Sequence, residues 1–192
     1  MKYIIVVAVI ITLFATHSFA AERYWSLAAG TWHPEQTSSA DFNFQEIGVS
    51  YDPGWSIGAT IGTAFDKGFR LENELVYRQA SAKGSADNMW ALGWLVNIWW
   101  DGRNSSRFTP YFGGGFGIGR GHTGSPGPID NSGYGIAYQA GGGVDVRIDP
   151  RLSLDIGYRY FGIADTYSNR GVGSFNPAGS SLTAGLRWRF EG

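Results

Sequence analysis

The sequence predicts an all-β protein, an eight-stranded antiparallel transmembrane β-barrel with short turns at one end and long loops at the other. Three observations carry that prediction. An export signal opens the chain. Most of the mature sequence alternates apolar with small or polar residues, in segments of roughly nine to twelve, about what a tilted strand needs to cross a bilayer. The connections between these segments alternate short with long.

Residues 1–20 read as the signal. Lys2 precedes an apolar run from Tyr3 to Phe14, and Ser18-Phe19-Ala20 supplies a small-x-small cleavage site. The run is too short to span ~30 Å of hydrocarbon as a helix. Cleavage is expected after Ala20, leaving residues 21–192 as the outer-membrane barrel domain.

In chain order the strands are Tyr24 to Trp32, Trp55 to Phe65, Phe69 to Arg78, Trp90 to Trp100, Tyr111 to Gly119, Ala137 to Ile148, Ser153 to Phe161 and Ser181 to Phe190. In the seventh, Leu154, Ile156, Tyr158 and Tyr160 share one face, opposite Ser153, Asp155, Gly157 and Arg159. In the fourth, Trp90, Leu92, Trp94, Val96, Ile98 and Trp100 oppose Ala91, Gly93, Leu95, Asn97 and Trp99. Side chains alternate between faces along a strand, so each segment has one greasy face. Phe42 to Tyr51 is also strand-like. It is expected in the first outer loop, paired across the Asp52-Pro53-Gly54 turn, because a ninth spanning strand would put the termini on opposite sides.

A soluble β-sandwich or lipocalin-like barrel also alternates, but three features oppose it. The non-apolar face is mostly glycine, alanine and serine, which suits a cramped interior better than a solvated exterior. The connections Asp66 to Gly68, Asp101 to Arg107 and Asp149 to Arg151 are short, whereas His33 to Gly54, Gln79 to Asn88, Arg120 to Ile136 and Ala164 to Gly179 are long. That is the pattern of periplasmic turns and extracellular loops. Aromatics also gather at strand ends as two girdles. Trp25, Phe65, Phe69, Trp100, Phe108, Trp188 and Phe190 mark the short-turn end, and Trp32, Trp55, Tyr77, Trp90, Tyr138 and Tyr160 the long-loop end.

Composition excludes other classes. The formal charge of −1 becomes −2 when Lys2 leaves with the signal, so no basic surface points to nucleic acid. There is no cysteine, hence no disulfide framework, thiolate chemistry or lipidated N-terminal cysteine. Twenty-nine glycines beside 8 tryptophans, 10 tyrosines and 12 phenylalanines suit tightly packed, aromatic-belted strands.

Four stretches carry a family resemblance: Gly68-Phe69-Arg70-Leu71-Glu72-Asn73-Glu74-Leu75-Val76-Tyr77-Arg78, Pro110-Tyr111-Phe112-Gly113-Gly114-Gly115, Ala137-Tyr138-Gln139-Ala140-Gly141 and Leu152 to Phe161. The chain resembles the opacity and surface-antigen barrels, within the wider group of small barrels similar to the transmembrane half of OmpA. The resemblance covers most of the mature chain and implies a fold more than a function, since such barrels serve as adhesins, envelope stabilisers and minor pores. Two positions depart from it. Asn73 falls on a lipid-facing site where an apolar residue is usual, and Glu191-Gly192 come after Phe190, where the family commonly ends on the aromatic read by the barrel-assembly machinery.

The inward parity concentrates charge at Arg70, Glu72, Glu74, Arg78, Asp145, Arg147, Asp155, Arg159, Arg187 and Arg189. Glu72 and Glu74 could be drawn as a catalytic carboxylate pair. In a lumen just wide enough for side chains, interleaved arginines and carboxylates are instead expected to form a structural network. Glu74 in particular is expected to pair with an arginine. His122 with Ser125 and Asp130 superficially suggests a hydrolase. Lipid A deacylases of this size carry His-x-Ser on a strand, however, and His122-Thr123-Gly124-Ser125 is expected in a Gly/Pro-rich loop. Gly119, Gly121 and Gly124 match a dinucleotide-binding pattern, but Ser125-Pro126-Gly127-Pro128 forbids the helix that pattern requires. His33 and His122 are too few for a metal site, and no cofactor is expected.

The sequence thus indicates a non-catalytic outer-membrane barrel acting in envelope structure or surface interaction. A narrow pore is the first alternative and a lipid A-modifying enzyme the second. The expected partners are outer-membrane lipid and lipopolysaccharide, the barrel-assembly machinery through the last strand, and a ligand for the exposed loops.

Overall fold

Eight antiparallel strands close into a barrel in which each strand pairs with its neighbour along the chain and the first pairs with the last. The computed structural model describes residues 21–35, 37–40, 46–85, 87–124, 132–168 and 176–190. The export segment 1–20 and Glu191-Gly192 therefore lie outside the described residues. The barrel comprises β1 (Ala21–Pro34), β4 (Gly54–Phe65), β5 (Phe69–Ser81), β6 (Asn88–Asp101), β7 (Phe108–Gly124), β8 (Ser132–Arg147), β9 (Leu152–Ser168) and β10 (Ala178–Arg189). Two short strands, β2 (Thr37–Ala40) and β3 (Glu46–Val49), pair only with each other among the described residues.

Closure runs along β1 and β10, where Trp25 pairs with Trp188, Ala29 with Ala184 and His33 with Ser180. On its other edge β1 pairs with β4 from Ala21↔Phe65 to Trp32↔Gly54. Strand parity then sorts the side chains. Ile61, Leu75, Ile98, Phe112, Phe116, Ile136, Tyr158 and Leu182 stand exposed on the outside. Arg70, Glu72, Arg78, Asn97, Gln139, Asp145, Asp155 and Arg187 are buried inside. An apolar exterior around a polar interior inverts a soluble barrel and suits a bilayer.

The short turns join β4 to β5, β6 to β7 and β8 to β9. In the first, Gly68 adopts φ +83°, a conformation that costs glycine little, while its N–H reaches the Phe65 carbonyl at 3.1 Å. Small inward residues also make room for large ones. A Cβ on Gly62 would lie 2.4 Å from the Tyr24 ring, so the glycine on β4 is what lets that ring lie across the lumen.

Several elements differ from the sequence reading. β7 continues to Gly124, β8 starts at Ser132 and β9 runs to Ser168, so these strands extend well into stretches expected as loop. Glu46–Val49 does lie in the first long connection, but its partner is Thr37–Ala40 and not a segment beyond Asp52-Pro53-Gly54. Tyr51 instead bridges to Ala82 beyond β5. Phe42 to Gln45 lies outside the described residues. Trp32 is not a girdle residue. It has the inward parity of β1 and is fully buried.

The register of the closing seam can be checked by cross-linking. Ala29 and Ala184 sit opposite each other, at a separation that a disulfide can bridge, and the native chain has no cysteine to compete. An Ala29→Cys/Ala184→Cys protein should cross-link on oxidation and change its mobility on a non-reducing gel. A one-residue shift to Ala28→Cys/Ala184→Cys should not, because the two side chains would then point to opposite faces.

Candidate functional site: the barrel lumen

The lumen divides into a charged half towards the short turns and an apolar half towards the long loops. The charged half centres on Glu72, whose Oε1 accepts from the Tyr24 hydroxyl at 2.5 Å and from Arg70 Nη1 at 3.2 Å, while its Oε2 accepts from Trp99 Nε1 at 2.8 Å. Arg70 also donates through Nε to Asp101 at 2.8 Å. Across the lumen, Arg187 pairs with Asp145 and, at 2.8 Å, with Asp155. Asp155 also accepts the Tyr111 hydroxyl at 2.7 Å.

Buried guanidiniums lie over aromatic faces as well. Arg70 sits 4.7 Å from the Tyr111 ring centre, Arg187 4.9 Å from Tyr24, Arg159 4.1 Å from Trp99 and Arg78 4.0 Å from Phe161. A desolvated cation gains up to about 2 kcal/mol from such a ring. The inward arginines 70, 78, 159, 187 and 189 are matched by the carboxylates of Glu72, Glu74, Asp101, Asp145 and Asp155, so the interior carries no net charge.

Most of the residues read from the sequence as an interior network meet here, with two differences. Glu74 is held by amides: its Oε2 accepts from Asn97 Nδ2 at 2.7 Å and from Gln139 Nε2. Its direct partners are therefore not arginine. Arg147 has the inward parity but ends exposed at the short-turn rim, donating to the Ser106 carbonyl at 3.1 Å. Arg189 is partly exposed at the same rim, 3.4 Å from Asp145 and 3.5 Å from Glu22.

Tyr24, Trp99, Tyr111, Asn97, Gln139 and Asp101 belong to the network although the sequence reading does not name them as members. Their signal is present in the sequence, because each falls on the inward parity of its strand. A large aromatic on an otherwise small, polar face implies a polar tip with a buried partner.

Towards the long loops the lumen is filled by Trp32, Val76, Met89, Leu95, Phe161 and Ile163, each buried to 4% exposure or less. Arg78, itself buried, reaches this layer with its Nε 3.4 Å from Ser181 Oγ. Below it, beside Glu74 and Arg159, a gap of about 30 Å³ remains along the small residues of β1, β4 and β10. That is room for one or two waters.

His122 is not in a loop. It lies on β7 opposite Trp90 and Ser132, faces outward, and stacks on Trp90 with ring centres 5.6 Å apart and planes 13° apart. Ser125 and Asp130 lie outside the described residues. Gly119, Gly121 and Gly124 are strand residues of β7, and the described residues contain no helix to follow them. Asn73 does face the lipid, between Ile61 and Val96, with its Oδ1 buried and without a hydrogen-bond donor among the described residues.

Removing Glu72 should cost more than removing Glu74. Glu72→Ala leaves Arg70 without one of its two carboxylates and two further donors unmet, so a loss of about 3–5 kcal/mol is expected. Glu74→Ala strands neutral amides and should cost about 1–3 kcal/mol. Urea midpoints of the refolded barrels in lipid check this order, and equal midpoints would contradict it.

Comparison with known proteins agrees with this architecture. A family model described as outer membrane protein beta-barrel domain matches residues 6–190. Among solved structures, Neisserial surface protein A superposes with a TM-score of 0.58 at 20% identity, over 89% of this chain and 99% of that one. The outer membrane protein OprG of Pseudomonas aeruginosa gives 0.56 at 15% identity, over 91% and 98%. Ail, the attachment invasion locus protein of Yersinia pestis, solved with the heparin analogue sucrose octasulfate, gives 0.50 at 14% identity, over 88% and 99%. At these identities the likeness is one of fold. No curated protein matches the chain.

Proposed function

The chain belongs to the outer membrane protein β-barrel family, and on that premise we propose that it is a non-catalytic scaffold of the bacterial outer membrane with a sealed lumen and interacting outer loops. The observation that carries this reading is the seal. Trp32, Met89, Leu95 and Phe161 are fully buried across the long-loop half of the lumen, and the ion pairs of Arg70 and Arg187 close the other half. An ion crossing this interior would have to displace both layers, and the gap between them is water-sized.

The short turns face the periplasm in this reading, and the long connections, with the β2–β3 hairpin, face outward. The exterior meets lipid through its apolar side chains and lipopolysaccharide at the long-loop rim. Strand β10, with Phe190 directly after its last residue Arg189, is the segment offered to the assembly machinery, and the export signal is removed after Ala20. The names of the Neisserial surface protein and the Yersinia attachment protein describe surface roles, which supports an outer-loop ligand here too.

One observation favours a second reading. His122 sits on a strand at the long-loop rim and faces lipid, where a lipid A-modifying enzyme would need it. Its flat stacking on Trp90 supports the scaffold reading, because that contact holds the ring as part of the aromatic girdle.

Planar-bilayer recording of the purified protein should show no steady unitary current. Channels whose size changes on Arg159→Ala or Glu72→Gln would move the assignment to the pore. Lipid A from expressing cells should keep its acyl chains, and a chain lost with wild type but retained with His122→Ala would move it to the enzyme. For orientation, a cysteine at Ser85 should react with an impermeant maleimide on intact cells and one at Asn104 should not. The reverse pattern would invert the topology.

A further inference from the structure

At the short-turn end the lumen opens into a cavity of about 740 Å³, within the roughly 300–1,000 Å³ usual for small-molecule sites. Its charged lining has two layers. The deeper one is paired, with Arg70 on Glu72 and Asp101, Arg187 on Asp145 and Asp155, and Arg189 on Asp145 and Glu22. The rim is built differently. Arg103 donates to the carbonyl oxygens of Phe65 at 2.9 Å and Asp66 at 3.2 Å, and Arg147 to that of Ser106. The Arg107 guanidinium has no hydrogen bond or ion pair among the described residues. None of these three cations meets a carboxylate among those residues.

The backbone holds them close. The Arg147 N–H bonds the Arg107 carbonyl at 2.9 Å, so the start of β7 and the end of β8 lie side by side and bring two guanidiniums to one wall. Arg103 reaches from the β6–β7 turn to the β4–β5 turn and completes the rim. The rim acids offset part of this charge without pairing with these arginines. Asp149 Oδ1 accepts the Arg151 and Leu152 N–H groups at 2.7 Å each, as a turn cap, and neither Asp149 nor Asp66 forms an ion pair with Arg103, Arg107 or Arg147 among the described residues. Deeper in the lining, Arg70 Nη2 and Arg187 Nε are buried donors without acceptors among the described residues.

Like charges held together beside a solvent-filled cavity favour an anion between them, and guanidinium forks match phosphate and carboxylate oxygens two at a time. We infer that the short-turn mouth is a binding pocket for a small water-soluble solute carrying two or more phosphate or carboxylate groups. Because the lumen beyond is filled by the ion-pair and apolar layers, such a solute enters and leaves by the same mouth. It is captured there and not translocated. The pocket is the same whichever way the barrel is oriented in the membrane.

The test is calorimetric titration of the refolded full-length barrel, in nanodiscs of zwitterionic lipid, with pyrophosphate and separately with citrate. Saturable binding of either probe is expected, weakening as salt rises. It should weaken by about tenfold or more in Arg107→Gln/Arg147→Gln and stay unchanged in Lys83→Gln at the opposite end. Arg107→Gln alone removes a side chain that no other described group contacts by hydrogen bond or ion pair. It therefore keeps the fold and should show an intermediate loss. If the pocket serves lipid headgroups instead, nanodiscs containing phosphatidylglycerol will abolish binding of the soluble probes, which would overturn the assignment to a soluble ligand. No saturable binding at millimolar probe would overturn the site itself, as would equal affinity in the double variant or an equal loss with Lys83→Gln.

Discussion

In hydrocarbon a backbone N–H or C=O without a partner costs several kcal/mol, and the pairing of β1 with β10 removes the edge that would expose a row of them. The rest of the molecule depends on that closure. A ring of eight strands has an interior only wide enough for side chains to fill, so each strand needs small inward residues wherever a neighbour sends in a large one. Tyr24 lies over Gly62 for this reason. Closure also gives every strand one face in lipid, which dictates the alternation that runs through the sequence.

A narrow lumen turns charge into a constraint of its own. An arginine removed from water must find an anion, an acceptor or an aromatic face. Arg70 and Arg187 have carboxylates on one side and Tyr111 or Tyr24 on the other. Arg78 stands nearest the apolar layer and relies on Phe161 and Ser181. The order along the barrel axis is therefore a gradient, from an open, arginine-rimmed mouth through paired charges to an apolar plug. The plug stands between that mouth and the long-loop side.

The fold is legible because its physics is periodic. In β6 the run from Trp90 to Trp100 assigns each side chain to lipid or lumen by parity alone. Legibility fails where the bilayer stops acting on the sequence. At the long-loop rim β7, β8 and β9 continue through residues such as Thr123, Gly124, Ser132 and Gly133, where alternation fades. The β2–β3 pairing escapes the pattern for the same reason. The site is legible in its charges but not in its partners. Glu74 reads as an arginine partner because opposite charges suggest each other, whereas Asn97 and Gln139 on β6 and β8 reach it first. Trp32 reads as a girdle residue from its place near a strand end, although the parity it shares with Tyr24 puts it inside.

Amide hydrogen exchange of the barrel in lipid, resolved residue by residue along the β1–β10 seam, reports on closure itself. Leu27 to Gly30 and Thr183 to Leu186 should exchange as slowly as the central residues of β5 and β6, since all of them sit in the same uninterrupted ring. Fast exchange confined to that seam, with the other strands protected, would mean that the barrel is open between its first and last strands, and the proposal of a sealed lumen would fall with it.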